Sequence, residues 1–324
     1  MDDNITFANT IAQLAASPQV DRDGLCFAAS MQGLLRSNDS GKSWADAYQS
    51  LNLVAELPTL AVALSPAFEH DQTVFAGVSG GVLHSSDAGQ TWGVTELPTP
   101  PPLVVALGLS PAFERDGIVL AGTMEDGVFC SRDRGHHWEA WNFGLLDLNV
   151  LALAVSPAFA TDETVYIAVE SGIFRSSNGG RAWREVAFAV DDAPVLSLAL
   201  SPTFAQDNTL FAGTATNGLF KSTDGGQTWL RMAPDSITGS VDAIGLSPDY
   251  SAQPHLWLLS QGEILVSQDD GHSWKSWLGS IQIDQPITAV SVPAGLDDGH
   301  AVLVGLADGS VVQPGVNRSG KRAL

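Results

Sequence analysis

Ser222-Thr223-Asp224-Gly225-Gly226-Gln227-Thr228-Trp229 is the stretch whose reading decides the fold. Alone it spells a tight turn. It has a carboxylate able to accept hydrogen bonds from turn amides, a Gly226 free to take positive φ, and an indole that opens the next strand. The pattern Ser-x-Asp-x-Gly-x-x-Trp recurs from Ser37, Ser85, Ser131, Ser176 and Ser267, and only the fourth copy departs, with Asn178 in the aspartate position. The tryptophans of the six copies follow one another at intervals of 45 to 48 residues. A period of that length, filled with short alternating or apolar runs, is that of four-stranded propeller blades.

Each repeat has one internal order. In the fifth, Val195 to Leu200 reads as a fully buried inner strand, broken by Ser201-Pro202, with Phe204 and Asp207 in a loop of fixed length. A second strand over 209–213, a turn around Asn217-Gly218, a third strand over 219–222 and the aspartate turn follow, and Trp229 opens the fourth strand. The Ser-Pro-Ala-Phe signature returns at Ser65, Ser110 and Ser156, each followed by an acid, Asp71, Asp116 or Asp162. Beyond Trp274 three more strands are predicted, over 287–292, 301–306 and 310–313, with no aspartate turn after them. Residues 5–8 supply a candidate fourth strand for that last sheet, which would close the ring and remove two exposed edges. The expectation is therefore an all-β, seven-bladed β-propeller of four-stranded antiparallel blades. It forms one domain over residues 1–324, with a Gly/Arg/Lys-rich flexible tail at 314–324. A six-bladed ring is the rival count.

Composition agrees and limits the partners. Of 324 residues, 44% are apolar and 16% charged, which provides a large core. Thirty-six acids against 15 lysines and arginines give a formal charge of -21, a field that repels nucleic-acid backbones and anionic membranes and favours a basic partner. Cys26 and Cys130 lie in separate apolar runs without a CxxC pattern, as buried free thiols do. The acidic start Met-Asp-Asp-Asn lacks the features of a signal peptide, and no apolar run approaches the ~20 residues of a membrane span, so a cytoplasmic, soluble chain is expected, with a mature secreted chain whose signal has been removed as the alternative; a monomer is expected.

The turn acids Asp39, Asp87, Asp133, Asp224 and Asp269, with Asn178, and the tryptophans Trp44, Trp92, Trp138, Trp183, Trp229 and Trp274 read as structural. Each turn offers one or two carboxylates, short of the about six to eight oxygens of a calcium site. The histidines are scattered over the repeats and form no HExxH-like pair, and neither a metal nor a cofactor is implied.

This eight-residue pattern resembles the Asp-box, or BNR, repeat, and the resemblance covers nearly the whole chain. That family includes bacterial sialidases, xyloglucan-cleaving glycosidases, the sortilin luminal domain and photosystem II stability and assembly factors. The resemblance implies a β-propeller with its boxes on the rim, away from the binding face. It does not fix an activity.

A sialidase would need an arginine triad and a tyrosine nucleophile. Tyr166 falls at the place of the core aromatics Phe75 and Phe211, and Arg36, Arg132 and Arg175 read as solvated charge beside the turns. A glycosidase needs two carboxylates about 5–9.5 Å apart. The loops opposite the boxes carry Glu56, Glu96, Glu125, Asp126, Glu170, Asp191, Asp192 and Asp308 beside Tyr48, Trp141, Phe143 and Trp277, but a single propeller lacks a second cleft wall. The reading favoured is a non-catalytic scaffold for a protein or peptide, basic by charge, most like the assembly-factor and sortilin branch. A carbohydrate-binding or glycoside-hydrolysing propeller is the alternative. Glu125, Asp126 and Glu170 would form an acidic mouth, and Trp141 and Phe143, outside the repeat pattern, are candidate interface anchors.

Overall fold

The computed structural model describes residues 9–98, 102–188, 193–279, 281, 283–293 and 302–314. They form seven antiparallel sheets, six of four strands and one of three, each a simple meander. These are blades 1 to 7, over residues 11–46, 59–96, 103–140, 150–186, 195–232, 243–276 and 287–312. The protein is a seven-bladed β-propeller. The closing strand expected at 5–8 and the tail beyond 314 lie outside the described residues.

The apolar runs sort by depth. The fully buried strand of a blade is its second: Val74–Val78, Val165–Val169 and Leu210–Thr214 are buried at every position. Small and β-branched residues there pack against the neighbouring sheet on each side. The inner strands, expected to be fully buried, are not. Val150–Val155 and Val195–Leu200 are half-buried over most of their length, because a ring of seven leaves a channel at its axis. Buried side chains gather in seven clusters, one per seam between blades, such as Phe27, Val62 and Trp92 between blades 1 and 2.

The Ser-Pro-x-Phe segment is a single helical turn rather than a loop, as at Phe204–Asp207. Ser201 Oγ donates to Asp207 Oδ2 at 2.6 Å, and Thr209 N donates to Asp207 Oδ1 at 2.8 Å, so one carboxylate ties the strand before the turn to the strand after it. The same serine-to-aspartate bond recurs at Asp23, Asp71, Asp116 and Asp162.

In the aspartate turn, Ser222 Oγ accepts from Gly226 N at 2.8 Å while donating to Asp224 Oδ1 at 2.8 Å. Asp224 also accepts from the Thr228 amide at 2.9 Å and the Thr228 hydroxyl at 2.6 Å. These bonds hold its carboxyl down at about 2. Asn178 keeps the serine and amide bonds through its Oδ1, so the fourth turn forms as expected. Each turn seats on the preceding blade. A Cβ on Gly89 would stand 2.6 Å from Phe27 of blade 1, and one on Gly135 would stand 2.7 Å from Phe75 of blade 2. Trp92 Nε1 donates back to Ala47 O at 2.8 Å, and Trp183 Nε1 to Trp141 O at 2.8 Å.

The ring closes between blades 7 and 1. Thr288 Oγ1 donates to Ile11 O at 2.8 Å, Thr10 Oγ1 to Ala307 O at 3.0 Å, and Gln313 Nε2 bonds Ser40 O. Ile11, Leu14, Ala289 and Leu303 fill the seam. Cys26 and Cys130 are free and buried, and burial pushes each thiol up to about 12.

Candidate functional site

The meander puts two kinds of connection at each end of the strands. The aspartate turns and helical turns share one end, joined by bonds such as Gly225 N to Asn208 O at 3.0 Å. At the other end, the hairpin between second and third strands meets the loop that enters an inner strand, as where Gly127 N donates to Leu148 O at 2.8 Å and Ala215 N to Pro194 O at 2.9 Å. The loops at this second end (47–58, 97–102, 141–149, 187–194, 233–242 and 277–286) and its hairpins contain no lysine, arginine or histidine. Every cation of the propeller strands and turns lies elsewhere. Glu125, Asp126, Asp147, Glu170, Asp235 and Asp284 are among the acids of this end.

Loop 141–149 builds the site from that material. Asn142 is its first clamp: Oδ1 accepts from Val128 N at 2.8 Å and Nδ2 donates to Asp126 O at 2.9 Å, fixing the loop to the Glu125-Asp126 hairpin of blade 3. Asp147 and Asn149 are the second. Ser171 N donates to Asp147 Oδ2 at 2.8 Å and Asn149 Nδ2 to Glu170 Oε1 at 2.7 Å, fixing the same loop to the hairpin of blade 4. Glu125, Asp126 and Glu170, far apart in sequence, thus border one loop. Between the clamps stand Phe143, 80% exposed, and Leu146, 97% exposed, with Met124 exposed at the edge. Leu145 turns inward, and the bond from Trp183 N to Phe143 O at 2.8 Å holds the loop against the rim of blade 4. The result is an acidic and apolar patch whose own loop and hairpins contribute no cation, with Arg181 of the next aspartate turn at its edge over Trp141.

Trp141 is placed differently from its four companions. Its ring is half-buried against the seam of blades 3 and 4, with the Arg181 guanidinium 5.6 Å over it and Gly180 of the next aspartate turn beneath it. Leu146, Asp147, Asn142 and Asn149 belong to the patch, and no repeat pattern singles them out; only the absence of cations from the loop pointed there. Of the aromatics weighed as sugar platforms, Tyr48 is buried, its hydroxyl 2.9 Å from Thr59 Oγ1, and Trp277 packs into the seam of blades 6 and 7. Asp191 and Asp192 lie outside the described residues. Arg36 and Arg175 are half-buried between blades rather than solvated, since the third strand aims them at the next aspartate turn. Tyr166 is buried, as Phe75 and Phe211 are.

At the entrance to the inner strand of blade 6, desolvation raises the Asp242 carboxyl from its ordinary value, against one bond from Ser240 Oγ at 3.2 Å. Among the described residues no group of three or more histidines, cysteines or acids is placed to hold a metal, and no helix is long and apolar enough to cross a membrane.

No protein-family model matches the chain, and no curated protein matches it by sequence. Solved structures match it in fold. YCF48 bound to D1 peptide is similar over 95% of this chain and 92% of its own, with 16% identity and a TM-score of 0.69. YCF48 from Cyanidioschyzon merolae is similar over 94% and 95%, with 13% identity and a TM-score of 0.67. The GH74 xyloglucanase from Xanthomonas campestris is similar over 93% of this chain, with 17% identity and a TM-score of 0.67, but the chain spans only 51% of the xyloglucanase. At such identities the likeness is one of fold.

Proposed function

We propose that the protein is a non-catalytic docking scaffold for a basic, partly apolar segment of a protein or peptide, received on the patch built by loop 141–149. The observation that carries this reading is the charge and polarity of the loops at that end: acids and exposed apolar side chains, with no cation to neutralise them. Phe143 and Leu146 supply desolvation energy, while Glu125, Asp126 and Glu170 steer and orient a cationic partner. The YCF48 propeller, matched nearly end to end, has been solved with a peptide bound, which supports a peptide-docking role for this single ring.

Affinity for a partner captured from native cells is the test. Replacing Glu125, Asp126 and Glu170 together by Ala should weaken binding roughly tenfold and flatten its salt dependence, and Phe143→Ala with Leu146→Ala should weaken it by a similar factor. All five side chains are exposed or peripheral to the core, so the core should hold; because Glu170 also anchors Asn149, Glu125→Ala with Asp126→Ala tests the charge with that clamp intact. Salt-insensitive binding, or unchanged affinity in both variants, would overturn the proposal. The alternative is a glycoside-hydrolysing propeller that uses carboxylates of this face, Asp242 among them. Release of reducing sugar from xyloglucan that is lost in Asp242→Ala would establish it instead.

A further inference from the structure

Outside that patch, the clearest unexplained chemistry is a cleft of about 460 Å³ on the rim between blades 4 and 5. It is lined by Arg175, Arg184, Val186, Ala187 and the turn residues Gly225 and Gln227. In blades 3 and 5 the residue three places after the tryptophan lies against the glycine of the next aspartate turn. There Trp141 packs on Gly180, and Met232 on Gly271. In blade 4 that place belongs to Val186, which touches Gly226 but leaves the space beside it open.

Two guanidiniums face the opening. Arg175 and Arg184 are directly paired across the third and fourth strands, so their side chains leave the same side of the sheet, toward blade 5. Glu185, the one acid in the lining, alternates to the other side, with Oε1 toward Gly172. Among the described residues neither arginine has a hydrogen-bond acceptor or an ion-pair partner, and Arg175 Nε is buried without one. The neighbouring repeats show what is missing. At the same third-strand position, Arg36 Nε donates to Ala88 O at 2.7 Å in the next turn, and Lys221 pairs with Asp270 of the next turn. In blade 4 the equivalent carbonyl, Gly225 O, is taken by the Tyr166 hydroxyl at 2.9 Å, and Arg175 lies over the Tyr166 ring instead, 5.6 Å from its centre.

We infer that this rim cleft binds an oxyanion, a carboxylate or a phosphate of a small molecule, gripped by Arg175 and Arg184 with its apolar part against Val186 and Ala187. Paired planar guanidiniums suit multidentate oxygen acceptors, and neither arginine has an acceptor among the described residues. The inference is independent of the docking patch, which is built on blades 3 and 4 by other residues.

Titration calorimetry with sodium phosphate and with sodium benzoate, each against chloride at matched ionic strength, tests it on the full chain. One saturable site is expected for at least one anion, and the stronger of the two separates a phosphate site from a carboxylate site with an apolar body. Arg184→Gln, at an exposed position, should weaken that binding by about tenfold or more. Val186→Trp, which copies the plug that Trp141 forms one repeat earlier, should abolish it. Absence of saturation with both anions, or unchanged affinity in Arg184→Gln, overturns the assignment. If Val186→Trp does not fold, Arg184→Gln still decides.

Discussion

In four of the six aspartate turns a contact across the seam explains why the second residue of the φ-positive pair is glycine. Ser40, Ala88, Arg134 and Asp270 all occupy the first position at φ near 60°, so that site tolerates a side chain. The next residue, Gly89 in the second repeat, has φ 78° and no room, because its Cβ would stand 2.6 Å from Phe27 Cε1 of the blade before. Gly89→Ala therefore combines overpacking with left-handed strain and should cost roughly 3 kcal/mol, read as a lowered urea midpoint. The sequence gives the glycine and a local reason for it, the turn. The stronger reason is a contact made across a seam, which one repeat read alone does not contain. Trp141 and Arg175 escape a sequence reading for the same cause: both act on the next aspartate turn, 39 residues on for Trp141 and 50 for Arg175.

At the scale of the element, the aspartate turn is a small acid-sensitive clasp. Hydrogen bonds from the Ser43 hydroxyl and amide hold Asp39 at about 2, the Thr228 bonds do the same for Asp224, and the Ser273 bonds for Asp269. Each folded pKa lies below its unfolded value of about 3.9, so between the two the unfolded chain binds more protons. The stability these turns contribute is fully present above pH about 4 and drains away as pH falls toward 2. Asp224→Asn, which copies the natural Asn178, should keep the turn and make the pH 5-to-3 loss of stability shallower, measured by urea unfolding at each pH. The elements themselves were largely legible, because strand periodicity, turn glycines and the repeat length are local signals. Two features were not. The Ser-Pro-x-Phe turn is helical because Asp207 and its counterparts bridge two strands. The inner strands are only half-buried because the ring, not the strand, creates the channel.

For the whole molecule, seven blades follow from six aspartate turns plus three further strands, and that count was readable. How the ring holds itself shut was not, since Thr288 and Ile11 meet only after every blade is in place. Thr288→Val keeps the shape and removes the bond to Ile11 O, so it should lower stability by about 1 kcal/mol, with amide exchange quickening at 11–16 and 287–291 before elsewhere. The charge plan of the disc was present in the sequence as cation-free loops, but the patch required the Asn142 and Asn149 clamps to gather its residues. The seating of each turn on the blade before it also has a direction in time. Phe27 leaves the ribosome before Gly89, and Phe75 before Gly135, so each new blade finds its seat already made. Blade 1 alone must wait, because its own seat is Leu303 of blade 7. The nascent ring is thus an open arc with one unsatisfied edge until blade 7 has been made.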